Sequence, residues 1–315
     1  GLHYLAADAD TKVIVLISKP PDEAIATKLL AAALSAGKPV VVDFIGFAPP
    51  TARIGNLHFA AGLDQAAKLA IDLAKLPIEK VAPPKPRTGF LRGLFAGGTL
   101  AYEVLNGLQL FLAPIYSNIP IRPGQALANP LNSLAHTILD LGEDEFTLGR
   151  LHPMLDNDLR LRRMKQEAAD SEVGMILLDV VLGEGAHPDP AGELAPAIST
   201  HRKARKDIEF VALVIGTDQD PQQVDEQIRG LTKAGATVFR DLAGTIGYVV
   251  SRLVHRKSAG SPVAKFPEPL SAINVGVESF YVSLKTQGVD AVHVDWRPPA
   301  AGNEDLMDLL QKMKA

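Results

Sequence analysis

Residues 174–190 read GMILLDVVLGEGAHPDP. A nearly unbroken apolar run, interrupted by Asp179, ends in a glycine-rich polar turn. A strand that is apolar on both sides belongs inside a parallel sheet, covered by helices on both faces. The preceding residues follow the same plan. A short apolar run ending near Leu141 gives way to a polar turn over 142–150, and helical spacing follows over 156–169. In open α/β sheets, ligands sit beyond the carboxyl ends of such strands. The two turns hold His152, His187 and Arg150, with the carboxylates Asp140, Glu143, Asp144, Glu145, Asp156, Asp179, Glu184 and Asp189 in or beside them. This is the densest polar cluster of the chain.

Working outward, strands alternate with helices. Toward the amino end the pattern predicts strands over 13–17 and 39–44. It predicts helices over 22–36 and 64–76, with Pro21 and Asp22 at the start of the first and Gly37 just past its end. Residues 77–88 carry four prolines and read as a stiff linker. Beyond it come a strand over 90–95 and a helix over 100–110. Residues 111–132 form an irregular, proline-rich segment. On the carboxyl side, helices are expected over 193–206, 222–234 and 242–256, and strands over 210–215 and 235–239. The alternation makes a second doubly wound domain. A second linker over 257–269 leads to strands over 271–275 and 291–295, flanking a helix over 278–287. A terminal amphipathic helix is expected over 303–315. The expected fold is therefore α/β: two tandem flavodoxin-like doubly wound parallel-sheet domains and a small βαβ appendage. The domains run 1–82 and 89–256, joined by a proline-rich linker at 83–88, with the second linker and appendage over 257–315.

The totals narrow the function. The chain has 315 residues, 47% of them apolar, and a net charge of -4. That charge gives no attractive field for nucleic acid or an anionic membrane. The absence of cysteine excludes disulfides, iron–sulfur clusters and a thiol nucleophile, and fits a cytoplasmic protein. No apolar run reaches the length of a membrane span, and the first residues lack the regions of a signal peptide. The chain starts without Met and enters a buried-type strand almost at once. This is expected of a piece of a longer protein or of one half of a split one.

Several residues carry candidate chemistry. Gly97, Gly98 and Thr99 stand at a strand-to-helix junction, where backbone N–H groups and a helix N-terminus suit a phosphate. A tight turn alone would explain the two glycines equally well, and the segment lacks the Walker lysine and the GxGxxG spacing. His152 and His187 are each followed by proline, and each suits a general base, an anion donor or a phosphorylated nucleophile. The plain alternative is a hydrogen bond to the loop backbone. Asp179, inside its apolar run, requires a partner. Arg150, with Lys19, Arg92 or Arg122, suits a carboxylate or phosphate ligand. Asp218 and Asp220 suit a helix cap. His3, His136, His201 and His255 have no supporting neighbours, and Trp296 suits a packing or interface anchor. No metal-ligand spacing occurs.

The runs Ser18–Lys19–Pro20–Pro21, GKPVV at 37–41, LFAGGTL at 94–100, GRLHPMLD at 149–156 and LLDVVLGEGAHPDP at 177–190 resemble the FdrA family. FdrA proteins are relatives of succinyl-CoA synthetase and other nucleoside-diphosphate-forming acyl-CoA synthetases. The resemblance covers most of the chain. It implies that 1–82 is similar to the second domain of a synthetase α subunit, and 89–256 to the carboxyl-terminal ligase domain of the β subunit. The closing stretch from Ile273 to Gly302 looks like a segment shared with partner subunits. The resemblance further implies a CoA-binding-type domain, absent here or carried by another chain. In the synthetases a loop histidine is phosphorylated, whereas the matching position here is Asn56, with His58 two residues on. The glutamate-bearing turn that orients the phosphohistidine is replaced by 18–21, and no ATP-grasp domain is present.

Three functions follow as expectations. The first is a subunit of a carbamoyl- or acyl-transferring complex. It is of the oxamate carbamoyltransferase kind found in allantoin catabolism, which moves a carbamoyl group between oxamate and phosphate. His152, Arg150 and His187 would be catalytic, Gly97, Gly98 and Thr99 would bind phosphate, and Asp156, Asp179 and Asp189 would support them, with no metal. The second is half of an acyl-CoA synthetase, completed by CoA-binding and ATP-grasp chains, with magnesium and a nucleotide only on the latter. The third is a non-catalytic scaffold. The cofactor is left open between CoA and phosphate. The partners expected are a small anionic metabolite and other subunits in an oligomer, with neither nucleic acid nor membrane.

Overall fold

The computed structural model describes residues 1–47, 51–77, 86–254, 270–296, 305–307 and 312–313. The chain divides into two compact units, Gly1–Ser261 and Pro262–Ala315.

The first unit opens with a short helix, α1 (Leu2–Ala7). Its first sheet follows: β1 (Ile14–Ser18), α2 (Glu23–Leu34), β2 (Val40–Phe44), β3 (Arg53–Ile54), β4 (Leu57–Phe59) and α3 (Leu63–Ala74). The strand order is β1-β2-β4-β3. The first three run parallel and β3 pairs antiparallel with β4.

The larger sheet is built from β5 (Phe90–Phe95), α4 (Gly98–Leu108), β6 (Ile115–Ser117), β7 (His136–Asp140), α5 (Asp144–Thr147), α6 (Asp158–Ala169), β8 (Val173–Val181), α7 (Pro190–Ala204), β9 (Glu209–Ile215), α8 (Val224–Ala234), β10 (Thr237–Phe239) and α9 (Leu242–Leu253). All six strands are parallel, in the order β6-β7-β5-β8-β9-β10.

Strand β8 is buried along all but its last residue, as its apolar run requires. Its alternation feeds two cores. Met175 and Leu177 join the core that holds α4 and α9. Ile176, Leu178 and Val180 join the core under α6, α7 and α8. The helix after β5 therefore lies on one face and the helix after β8 on the other. Between these neighbouring strands the connections part to opposite faces, the arrangement that in open α/β sheets makes a crevice at the carboxyl ends.

The two sheets share a core. Ile14, Leu30, Phe44 and Phe59 of the smaller sheet sit in one apolar cluster with Leu105, Phe111 and Ile246. Phe59 meets Phe111 edge to face at 6.3 Å. Residues 83–85 of the expected linker lie outside the described residues.

The structure corrects several sequence expectations. The segment 111–132, expected to be irregular, contains edge strand β6, too short to show an alternating pattern. The helix expected from 222 begins at Val224, because Gln223 takes a left-handed φ of 56°. Asp220 does not cap that helix. Its Oδ2 accepts the Thr217 N–H at 2.6 Å and closes the preceding turn. Arg92, a candidate anion ligand, is buried. Its Nε donates to Glu167 Oε2 at 2.7 Å, and Glu167 Oε1 accepts Arg163 Nε at 2.6 Å. Ser133 also donates to Glu167, so this carboxylate ties β5, α6 and the segment before β7. His136, expected to stand alone, is half-buried at the start of β7, and its Nδ1 accepts the Leu91 N–H at 3.0 Å.

The second unit holds β11 (Ser271–Val275), α10 (Glu278–Thr286) and β12 (Asp290–Val294). The two strands are parallel, and the helix between them makes the expected βαβ unit. Of the expected terminal helix, 305–307 and 312–313 are helical and the rest lies outside the described residues.

Two stability predictions follow from the buried polar groups. Glu167→Ala leaves the buried Arg163 without a carboxylate and Arg92 with only Asp170, and should cost about 3–5 kcal/mol. Urea unfolding measures it, and Glu167→Gln, which keeps an acceptor, should lose less. The second concerns acid. Burial first, and Arg92 next, hold the His136 pKa at about 4, below the usual 6.5. Below 6.5 the unfolded chain takes up a proton that the folded chain refuses until about 4. Stability present above 6.5 is thus lost as the pH falls through that window, by about 3 kcal/mol. Unfolding free energies at the two ends of the window should differ less in His136→Gln.

Candidate functional site

The crevice is floored by the turn between β5 and α4. Gly97 is the N-cap of α4 and no side chain caps it. Its first-turn N–H groups are left to the solvent side, where the helix end is partly positive. Side chains stand close to both glycines. A Cβ on Gly97 would lie 2.8 Å from Met154 Cε, and one on Gly98 2.7 Å from Asp140 Oδ2. Thr99 is exposed at the second helical position.

A buried ion pair holds the turn from below. The Ala96 N–H donates to Asp179 Oδ1 at 2.8 Å. Arg160 Nη1 donates to the same oxygen at 2.6 Å and to the Asp179 carbonyl at 2.7 Å. Both side chains are essentially sealed. Asp179 Oδ2 has no partner among the described residues. Burial raises the Asp179 pKa against the pull of Arg160, and burial likewise lowers that of Arg160.

The network continues outward. Arg160 donates to Asn157 Oδ1 through Nη2 at 3.1 Å, and Asn157 Nδ2 donates to Glu193 Oε2 at 3.0 Å. That carboxylate lies 3.3 Å from His187 Nε2. A polar chain thus runs from the turn to His187.

The two histidines share one geometry. The Met154 N–H donates to His152 Nδ1 at 3.2 Å, and the Asp189 N–H to His187 Nδ1 at 3.1 Å. Each is a His-Pro-X turn in which the proline withholds its own N–H and the next residue supplies one. An acceptor Nδ1 puts the proton of the neutral ring on Nε2. The loops are joined by a 2.7 Å bond from the His187 N–H to the Met154 carbonyl.

Asp140 ends β7 beside the turn. Its Oδ1 accepts the Gly142 N–H at 2.8 Å. Asn118 fixes its backbone, accepting the Asp140 N–H at 2.9 Å and donating to its carbonyl at 2.9 Å. Burial raises the Asp140 pKa, and the Gly142 N–H and His152 oppose it. A Cβ on Gly142 would meet His152 Nε2 at 2.6 Å, the Ala96 carbonyl at 2.8 Å and Asp140 Oδ1 at 3.1 Å. The imidazole, the turn and the carboxylate therefore converge on one point.

The structure brings His152, Gly97, Gly98 and Asp179 together and ties His187 to them. Arg150 is exposed, with no side-chain partner among the described residues. Asp189 caps α7, accepting the Gly192 N–H at 3.0 Å. Asp156 accepts the Asp158 N–H at 2.8 Å, at the entry to α6. Among the other candidates, Arg122 pairs with Glu23. Asn56 donates to the carbonyls of Ala33 and Lys38, at 2.9 and 2.7 Å. His58 stands half-buried in β4, its pKa lowered by burial and Arg53. A cavity of about 570 Å³ lined by Arg87, Thr88, Asp207 and Arg252 lies by the entry to β9 and holds none of the candidates. Among the described residues, no group of three or more histidines and carboxylates is placed to hold a metal ion.

Residues 94–245, which contain the α4 turn, the Asp179–Arg160 pair, Asp140 and both histidine loops, match the CoA-ligase family model. Over this segment the chain is similar to CoA ligases of the succinyl-CoA synthetase-like kind. The chain is 36% identical over 266 residues to the uncharacterized protein YahF of Escherichia coli K12, covering 78% of this chain and 51% of YahF. It thus spans about half the length of that relative. Over 48 residues it is 40% identical to the uncharacterized protein YahG of the same organism, 15% of this chain and 10% of YahG. Among solved structures, PH0766 of Pyrococcus horikoshii OT3 aligns at a TM-score of 0.36 and 14% identity, covering 82% of this chain and 56% of that one. The dinucleotide forming acetyl-coenzyme A synthetase 1 of Ca. Korarchaeum cryptofilum, in complex with phosphate and ADP, aligns at 0.35 and 16% identity, covering 79% and 54%. No helix of the described residues is long and apolar enough to cross a membrane.

Asp140 had been named only as one carboxylate of the polar cluster, and Gly142, Arg160, Asn157 and Glu193 were not among the residues singled out for the site. The sequence held one usable signal. A carboxylate inside an apolar strand demands a cation, and Arg160 and Arg163, three apart before Glu167 at four further, share one helix face.

Gly142→Ala should push the His152 ring away, because the Ala96 carbonyl on the other side is backbone and cannot yield. The expected result is a shifted His152 imidazole resonance by NMR and weaker anion binding, with the far-ultraviolet spectrum unchanged.

Proposed function

We propose that this chain is an FdrA-type subunit of a complex that transfers a carbamoyl or acyl group to or from phosphate. One observation carries the reading: no side chain caps α4, and His152 Nε2 and the carbonyl of Ala96, the residue before the Gly97 N-cap, both stand against Gly142. Helix-end N–H groups and a neutral imidazole N–H suit the phosphate, and the oxyanion of the tetrahedral intermediate, that this chemistry generates. In this reading Gly97, Gly98 and Thr99 hold phosphate. His152 donates to the oxyanion or leaving group through Nε2, and Arg150 reaches in from the exposed loop when substrate arrives. His187 acts through Glu193, Asn157 and Arg160. Asp179 keeps the turn in place, while Asp156 and Asp189 keep the two histidine loops in shape.

Oxamate carbamoyl transfer, in purine and allantoin breakdown, is the specific reaction this chemistry fits best. Carbamoyl phosphate formation with the partner subunits tests it. His152→Ala should lower turnover by about 10²–10⁴, and unchanged turnover removes His152 from the mechanism.

The similarity to CoA ligases supports a second reading, half of an acyl-CoA synthetase completed by CoA-binding and ATP-grasp chains. Labelled ATP with such partners would then mark His58, His152 or His187, and an unlabelled chain rejects it.

A further inference from the structure

The α4 end carries, besides its N–H groups, a buried carboxylate. Asp140 is 4% exposed. Its Oδ1 is occupied by the Gly142 N–H, while no donor among the described residues reaches Oδ2. That oxygen lies against Gly98, the first residue of α4. We propose that Asp140 makes this crevice select an oxyanion that carries its own proton, hydrogen phosphate or a phosphate-like monoester, over one that carries none.

The inference rests on the reading that the α4 end binds phosphate, and it adds a specificity determinant to it. An ionised carboxylate only accepts hydrogen bonds. Beside an incoming anion it therefore needs a ligand O–H. Phosphate near neutral pH retains at least one. Sulfate has none, and would set two acceptors face to face. A site built to bond a ligand hydroxyl rejects the analogue that lacks it far more strongly than a merely apolar pocket does.

The groups around Asp140 do not supply the missing proton. Gly142 gives its N–H to Oδ1. Asn118 spends its side chain on the Asp140 backbone and on Glu145. Asp179, across β5, is engaged by Arg160 and Ala96. His152 Nε2 stands against Gly142, on the Oδ1 side of the carboxylate, whereas Oδ2 lies against Gly98. Burial also raises the Asp140 pKa, which eases sharing a proton with the ligand.

Calorimetric titration of the full chain at about pH 7 and matched ionic strength tests the proposal, with inorganic phosphate, arsenate and sulfate as probes. Phosphate and arsenate, which both keep a proton, should bind alike, and sulfate at least about tenfold more weakly. Asp140→Asn keeps an acceptor for the Gly142 N–H and offers an amide donor to the anion. It should gain sulfate binding and bring the ratio within about threefold. Equal binding of phosphate and sulfate by the unaltered chain, or arsenate siding with sulfate, overturns the selection and leaves the anion site standing. No binding of any of the three overturns the anion site itself. The comparison of probes on the unaltered chain decides the matter even if the variant does not fold.

Discussion

The contact on which the crevice depends is the one between Asp179, Arg160 and the Ala96 N–H. It joins three parts of the chain: β8, which carries the carboxylate; α6, which carries the guanidinium; and the end of β5, where the backbone must turn into α4. Taking two such charges out of water costs several kcal/mol each, and a well-packed apolar pair would serve stability as well or better. The geometry gives another reason to keep the pair. Only an acceptor at that place can hold the Ala96 N–H, and only a donor as long as arginine can satisfy the acceptor from the opposite helix layer. The pair fixes the turn against both neighbours, at the point where connections leave the sheet to opposite faces.

A second constraint is volume. Gly97, Gly98 and Gly142 do not owe their identity here to unusual backbone angles, for none has a positive φ. The side chains of Met154, Asp140 and His152 stand close to where a Cβ would be, and at Gly142 the Ala96 carbonyl does so too. Removing three side chains brings two turns and a strand end close enough for their polar groups to face one space. The same turns are tied by main-chain bonds and by Gln222, which donates to the carbonyls of Gly183 and His187 and accepts the Gly183 N–H. That service explains why Gln222 stands outside α8.

Much of this was legible in the chain. Alternating apolar runs and helical spacing give the α/β layers, because burial on one or both faces writes directly into sequence. The need of Asp179 for a partner was legible for the same reason. Its partner was not. Arg160 lies in the run LRLRRMK, where three arginines look alike until helix phase and strand order say which one points inward. Strand order is also what sets Asp140 and Asp179 on either side of β5, although the two are far apart in sequence. Edge strand β6 escaped because three residues are too few for a pattern. The inward turn of His136 escaped because its one bond is to a backbone N–H that any residue could provide.

The ring nitrogens bear on which chemistry the crevice suits. A histidine that is to be phosphorylated needs a free lone pair on the attacking nitrogen. In both His-Pro-X turns a backbone N–H occupies Nδ1, and the neutral ring then carries its proton on Nε2. For His187, Glu193 lies at 3.3 Å and can draw on that proton. His152 has no such helper except Asp140, whose free oxygen faces Gly98 rather than a base-like position on the ring. As arranged, His152 is a donor first. A donor belongs with stabilising an oxyanion or delivering a proton to a leaving group, and that weighs toward direct group transfer over a phosphohistidine at this position.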